Sequence, residues 1–109
     1  MKKSSFALVA LVLSLGAAAT FAAPASEIWT TQCAKCHGAD GAGKTKIGQK
    51  LKLKDYTDAA VQTAMKDEDM TKAIKTGITE NGKEKMKAFS DIPDADVVAL
   101  VAYIRTFKK

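Results

Sequence analysis

Residues 33–37 have the sequence Cys33-Ala34-Lys35-Cys36-His37, and this Cys-x-x-Cys-His run decides how the rest of the chain is interpreted. Residues three and four apart share one face of a helix, so the two thiols and the imidazole are expected to project side by side. The run occupies only about 6 Å of helix rise. Three reactive side chains are therefore predicted to face one small volume.

This arrangement suits two thioether bonds to one haem, with the imidazole placed under the iron. A neutral imidazole is a good axial ligand, and the pentapeptide is typical of a c-type haem attachment site. The predicted roles are covalent attachment of a single haem c for Cys33 and Cys36, and axial ligation of the iron for His37.

A Cys-x-x-Cys pair also occurs in zinc sites, in redox-active dithiols and in local disulfides. A structural zinc site usually takes four Cys or His ligands, but the whole chain has two Cys and one His. A thioredoxin-like dithiol needs a βαβ context, and no convincing strand follows the motif. A local disulfide stays open as an alternative, although the adjoining His37 favours haem.

The first 22 residues have the pattern of a secretory signal peptide. A basic start at Lys2 and Lys3 precedes a largely apolar run from Phe6 to Leu15, which is too short to span a membrane. Cleavage is expected after Ala22, with Ala25 as the second choice. The expected division is therefore 1–22 as signal and 23–109 as a single one-haem domain, exported to the periplasm without a membrane span.

The charge of the chain gives little evidence about partners. Removal of Lys2 and Lys3 lowers the formal net charge from +5 to +3, and two haem propionates would bring it near +1. Nucleic acid is not expected as a partner of an exported protein. The mature chain of roughly 85 residues is near the size where a lone apolar core is marginal, so a buried haem would supply part of the core.

The fold is predicted to be all-α, with helices and loops wrapped around one haem. A short helix from Ser26 to Gln32 leads into the motif, Gly38 to Gly48 forms a loop, and Leu51 to Tyr56 is irregular. Three more helices are expected. The first is capped by Thr57 or Asp58, the second starts at Asp67 and stops at Gly77, and the last begins at Pro93. A polar loop is expected over 79–91, before the last helix. An apolar stripe lines the last helix: Val97, Leu100, Val101, Ile104 and Phe107.

With the motif near the mature N-terminus, a lone Met in a late loop and a final aromatic-bearing helix, the chain resembles the class I c-type cytochromes, and most of all their small one-haem periplasmic members. The most specific stretches are 33–38, 81–89 and 100–104. The resemblance implies that Met86 is the distal iron ligand and that Trp29 packs against Leu100 and Tyr103 where the first and last helices cross.

Two residues depart from the family pattern. Gln49 stands where many members have a Pro whose carbonyl accepts the second ring N–H of the proximal His, and Lys87 stands where a Pro commonly follows the distal Met. The resemblance implies that the Gln49 carbonyl accepts this bond from His37. Both loops lack a residue that fixes φ.

The function expected from these features is one-electron transport by a monomer, and not catalysis. Iron held by His37 and Met86 has no open coordination position. Three lysines flank Met86, and they would suit docking on acidic patches of redox partner proteins: Lys83, Lys85 and Lys87. A haem enzyme or sensor that binds peroxide or a gas at a displaceable sixth position is the alternative. A haem subunit docked in an oxidase or reductase is a third possibility.

Overall fold

The computed structural model describes residues 23–109, so the predicted signal peptide lies outside the described residues. The motif lies at the end of a continuous helical stretch made of α1 (Ala25–Ile28), a π-helical segment (Trp29–Cys33) and α2 (Ala34–His37). The helix begins one residue earlier than expected, because Pro24 and not Ser26 is its N-cap. A π segment next to the motif is notable, since such segments occur frequently at functional sites.

A loop and a short helix follow the motif. The backbone of Gly38 has φ of 84°, which ends α2, and α3 (Lys46–Leu51) begins where the side chain of Thr45 accepts a bond from the N–H of Gly48. The loop is therefore shorter than predicted, and Gly48 is a helical residue. The Thr45 cap outweighs the low helix propensity of this glycine.

The two middle helices follow the predicted pattern. The carboxylate of Asp58 caps α4 (Ala59–Ala64), and α5 (Asp67–Thr76) opens with three acidic residues and stops at Gly77. Acidic side chains stabilise the positive end of the helix dipole in that first turn. Both boundaries are thus set by capping and charge signals that are visible in the sequence.

The segment expected to be a polar loop contains a β-hairpin. Strands β1 (Ile78–Glu80) and β2 (Lys83–Met86) are antiparallel, and Ile78 pairs with Met86 at their open end. Asn81 and Gly82 both have positive φ, 51° and 74°, which is the conformation of the tightest hairpin turns. The chain is still predominantly helical, as predicted, with this hairpin as the sheet of the described region.

The last helix, α6 (Asp94–Arg105), packs against α1 and α5. Pro93 is its N-cap, and the core includes the predicted residues Val97, Leu100, Val101 and Ile104. Phe107 lies just beyond the helix and is half-buried against this core. Within residues 23–109, no helix has the length and apolar character needed to cross a membrane.

A polar network that was not predicted ties α6 to α4. The side chain of Gln62 is buried and donates to the carbonyls of Tyr56 (2.7 Å) and Ile104 (2.9 Å). The guanidinium of Arg105 donates to the carbonyls of Gln62 and Met65 and to the carboxylate of Asp67. These bonds satisfy carbonyls at the ends of two helices.

Candidate functional site

The three residues of the motif lie together as predicted. Cys33 ends the π segment, Cys36 and His37 lie on α2, and all three are half-buried. Both cysteines are free, so the disulfide alternative is not formed. Burial, with a further contribution from Cys36, raises the pKa of the Cys33 thiol to about 11.

The C-terminal end of the motif helix is held by hydrogen bonds from three directions. The hydroxyl of Thr45 donates to the carbonyl of Cys36 (2.6 Å), and the N–H of Gly43 donates to the carbonyl of His37 (2.8 Å). The indole N–H of Trp29 donates to the carbonyl of Gly38 (3.0 Å). Carbonyls that a helix end leaves without partners are thus satisfied, which fixes the backbone that carries Cys36 and His37.

Helix α3 packs directly onto this backbone. A Cβ atom added at Gly48 would lie 2.3 Å from the carbonyl oxygen of Gly43 and 2.8 Å from that of Cys36. No side chain fits there without a shift of the main chain. The close approach explains why a glycine occupies the middle of a helix at this position.

The imidazole of His37 contacts two aromatic rings, which also contact each other. Its centroid is 5.3 Å from that of Tyr56, in a stacked arrangement, and 5.6 Å from that of Trp29. Burial lowers the pKa of His37 and so favours the neutral ring. In the described part of the chain, Nδ1 of this ring is a buried polar atom without a hydrogen-bond partner.

The bond expected between His37 and the Gln49 carbonyl is not formed. That carbonyl instead accepts from the N–H of Lys52 (3.2 Å), and the Gln49 side chain donates to the carbonyl of Lys44 (2.9 Å). Gln49 lies two residues before the end of α3, where its carbonyl accepts the bond that terminates the helix. The prediction from the family pattern was therefore wrong for this structure.

Trp29 and Tyr103 meet as expected where the first and last helices cross. Trp29 is 2% exposed, and its ring centroid lies 6.2 Å from that of Tyr103 and 4.9 Å from that of Phe107. Leu100 belongs to the same buried cluster. Sequence reasoning missed Tyr56, whose contact with His37 depends on the path of the loop and carries no local signal.

Met86 lies at the end of β2, half-buried against the core. Gly77 is tightly placed beneath it, because an added Cβ would lie 2.6 Å from the Met86 carbonyl oxygen. Two other methionines lie in the same domain. Met70 is a core residue with 8% exposure. Met65 is half-buried just after α4, and its carbonyl accepts from Arg105.

The three lysines near Met86 differ in exposure. Lys83 and Lys87 are exposed and Lys85 is half-buried. The ion pairs of the described region are Lys75–Asp94 and Arg105–Asp67, so these three lysines are not paired with carboxylates there. The ammonium of Lys87 lies 5.0 Å from the centroid of the Phe89 ring, a cation–π contact next to Met86.

A helix that ends in Cys-x-x-Cys-His, with a neutral buried imidazole and an aromatic helix crossing beside it, defines a c-type cytochrome. The chain belongs to the family described as cytochrome c oxidase, cbb3-type, subunit III, whose model matches residues 21–104. No curated protein matches the chain.

Two solved structures resemble the chain over most of its length. One is the KustC0563 c-type cytochrome, with 31% identity, a TM-score of 0.69 and coverage of 78% of this chain and 98% of that one. The other is a tyrosine-to-phenylalanine variant of Kustc0563, with 30% identity, a TM-score of 0.67 and coverage of 78% and 99%. The small class I cytochrome fold predicted from the sequence is confirmed.

Membership of this family implies covalently bound haem c as the cofactor. The residues present fit that group. Two free thiols and a neutral imidazole lie on one helical stretch, which is the set of side chains that covalent attachment of a haem and ligation of its iron require.

Proposed function

We propose that the protein carries single electrons between redox partner proteins, with one haem attached through Cys33 and Cys36. His37 and Met86 are its iron ligands in this proposal. The bound haem supplies an iron that changes oxidation state by one electron. The observation that carries the proposal is the arrangement of the motif itself, with two free thiols and a neutral half-buried imidazole on the same helical stretch.

The environment of His37 supports its role as a fixed ligand. The backbone of the motif is held by Thr45, Gly43 and Trp29, and the His37 ring packs against the rings of Trp29 and Tyr56. A ligand whose position is set by its surroundings loses little conformational freedom when it binds iron. Because burial lowers the pKa of His37, the neutral form that ligates iron is favoured.

Met86 is the better choice for the second ligand. Met70 is enclosed in the core, and a turn with a backbone carbonyl bonded to Arg105 fixes the position of Met65. Met86 is half-buried at the rim of the core, at the end of a short hairpin. A thioether sulfur favours ferrous iron and therefore raises the reduction potential relative to a second His.

A filled sixth position favours electron transport over catalysis. A displaceable Met86 would instead leave the iron open to peroxide or a gas. A Pro is absent after Met86, but Gly77 approaches the Met86 carbonyl closely and the side chain of Lys87 contacts the Phe89 ring. These contacts support the electron carrier.

The lysines around Met86 are the proposed docking surface. Lys83, Lys85 and Lys87 have no carboxylate partner within the described region, so their charge is available to an acidic patch on a redox partner. Such charges act mainly on the rate of association. Residues 1–22 are proposed to export the chain to the periplasm, outside the reducing cytosol.

Mass spectrometry and visible spectra test the site directly. The intact mass after acid extraction should exceed that of the mature chain by one haem, and His37→Ala should give little holoprotein. A mass corresponding to the chain alone, with free thiols or a disulfide, would contradict covalent attachment.

The Met86 assignment needs a separate comparison. Wild-type ferric protein should be low-spin and slow to bind cyanide, whereas Met86→Ala should be high-spin or water-ligated and bind it readily. Met86→His should restore six-coordination at a lower potential, and each ~59 mV corresponds to a tenfold change in equilibrium. Met65→Ala is the matched control. If it opens the site instead, or if the wild type is already high-spin, the assignment of Met86 fails.

A further inference from the structure

The side chain of Gln62 lies inside the protein, between α4, α6 and the segment that precedes α4. It is 5% exposed, and its amide N–H groups donate to the carbonyls of Tyr56 (2.7 Å) and Ile104 (2.9 Å). Its amide oxygen accepts from the guanidinium of Arg105 (3.1 Å). Two carbonyls on one side and a group that only donates on the other leave this amide a single orientation, in which both donors and the oxygen are used.

Arg105 holds Gln62 from the other side. Its guanidinium also donates to the backbone carbonyls of Gln62 and Met65 and to the carboxylate of Asp67. The donors of a guanidinium are fixed in one plane, so these acceptors determine its position together. The Gln62 side chain therefore cannot change its rotamer without breaking bonds to Tyr56, Ile104 and Arg105.

Tyr56 is the residue through which this network reaches the haem motif. Its ring stacks on the imidazole of His37, with centroids 5.3 Å apart and an angle of 21° between the planes. The same ring lies 6.4 Å from the ring of Trp29. One side of the His37 imidazole is therefore covered by a residue that Gln62 binds.

The backbone of Tyr56 depends on Gln62 because no regular element contains it. Tyr56 lies in a turn before α4, outside every helix and strand of residues 23–109. Its N–H donates to the Gly41 carbonyl (2.9 Å), and its carbonyl accepts from Gln62. In a segment without helix or sheet hydrogen bonds, these two bonds are the ones that fix the backbone from which the ring projects.

We propose that Gln62 is a positioning residue for His37 and acts through the ring of Tyr56. The inference rests on the proposed function, since it takes His37 to be a ligand of the haem iron. An aromatic ring held against the imidazole limits rotation of the ligand and access of water to it. Because solvent access around a ligand affects the reduction potential, release of Tyr56 should lower the potential by exposing the more highly charged ferric state to water.

Gln62→Leu tests the proposal in the holoprotein, because leucine cannot donate a hydrogen bond and introduces no further iron ligand. Nuclear Overhauser contacts between the ring protons of Tyr56 and His37 in the ferrous protein should weaken. The g-values of the low-spin ferric haem should shift, and the ferric-to-ferrous ratio at a fixed ambient potential should rise about threefold or more. A purely structural Gln62 would lower the unfolding midpoint and leave all three readouts unchanged, which would overturn the proposal.

Tyr56→Leu tests whether the effect of Gln62 passes through the aromatic ring. This variant alone should shift the potential in the same direction as Gln62→Leu. The double variant should shift it no further than Tyr56→Leu alone, because the ring that Gln62 positions is already absent. If Gln62→Leu has its full effect on the potential in the Tyr56→Leu protein, Gln62 acts by another route and the proposal is overturned.

Asp67→Asn is the matched control. It removes a charged partner of Arg105 at the exposed end of the same network and leaves the bonds from Gln62 to Tyr56 and Ile104 in place. The g-values and the potential should stay close to those of the wild type, since an exposed ion pair contributes little. A shift equal to that of Gln62→Leu would assign the effect to surface charge and overturn the proposal.

Two further outcomes keep the test decisive. If Gln62→Leu gives no holoprotein, Gln62→Asn takes its place, since its shorter amide cannot reach both carbonyls and should give a smaller shift in the same direction. Unchanged readouts in that variant would overturn the proposal. A wild type without covalent haem, or with high-spin iron, would contradict the proposed function and this inference with it. A low-spin wild type that Gln62→Leu leaves unaltered would contradict this inference alone.

Discussion

The two proposed iron ligands lie in regions that are held in different ways. The region of His37 is held on several sides. Thr45, Gly43 and Trp29 donate hydrogen bonds to its backbone carbonyls, and Gly48 packs closely against its backbone. The region of Met86 lies at the end of an exposed two-stranded hairpin and is held mainly by Gly77 and by the bond from Phe89 N–H to the Ile74 carbonyl (2.8 Å).

This difference bears on what each region contributes. A ligand region with many mutual constraints retains its geometry when one contact is lost, whereas a region on a short hairpin depends on a few contacts. We expect the His37 region to set overall stability and haem retention, and the Met86 region to set ligand exchange and partner contact. The predictions below separate these roles.

The largest effect is expected at Trp29, which supports the His37 region. Trp29→Ala removes a buried ring that contacts the aromatic cluster and donates to the Gly38 carbonyl, so unfolding free energy should fall by about 3–5 kcal/mol. Denaturant unfolding followed by circular dichroism measures this change.

Trp29→Phe is the matched control for that change. It keeps an aromatic ring and loses the indole hydrogen bond, whose net contribution is about 1 kcal/mol. The haem spectrum of the folded fraction should change little in either variant. An unchanged denaturant midpoint for Trp29→Ala would mean that Trp29 does not stabilise the region of His37.

Replacing a glycine with alanine is expected to lower the free energy of unfolding by less, and this substitution can be made in both regions. Gly48→Ala forces a Cβ against the carbonyls of Gly43 and Cys36, and overpacking of this kind costs about 1–3 kcal/mol. Because the shifted backbone carries Cys36 and His37, haem incorporation should fall as well.

Gly82→Ala is the counterpart in the hairpin. An added Cβ there meets nothing within 4 Å, so the cost comes only from the positive φ of 74°, about 1–2 kcal/mol. Its effect should stay within the hairpin and leave haem incorporation unchanged. Equal haem incorporation in both variants would mean that α3 does not support the motif.

The sequence predicted the parts of the molecule that depend on local signals. The helical placement of the motif, a cap at Thr57 or Asp58, the Gly77 stop and the apolar stripe of α6 up to Ile104 all follow from nearby residues, and the structure confirms them, with Asp58 as the cap. The packing of Trp29 against the last helix was implied by the family resemblance, and the structure shows Trp29 buried beside Tyr103.

The errors occurred where distant contacts decide the conformation. The strand Lys83–Met86 has charged residues at three of four positions, so it carries no alternating apolar pattern, although Asn81-Gly82 is a typical hairpin turn. Gly48 suggested a loop, yet close packing on Cys36 requires a glycine within α3. Neither the Gln62–Arg105 network nor the stacking of Tyr56 on His37 has a local signature.

The smallest effect is expected from charge, and it tests whether the Met86 region is the one that meets partners. Replacing Lys83, Lys85 and Lys87 with Gln should slow reduction by a physiological donor several-fold at low salt, and the difference should shrink as salt screens the charges. Stopped-flow reduction of the haem over a range of ionic strength measures this difference in rate.

The matched control replaces Lys46, Lys50 and Lys52, which are exposed on or next to α3 and carry the same total charge. If docking occurs at the hairpin, the control should retain most of the wild-type rate, because its net charge falls equally but the docking surface is intact. Equal slowing by both triple variants would mean that net charge alone governs association, and equal rates for all three proteins would mean that neither lysine group meets the donor.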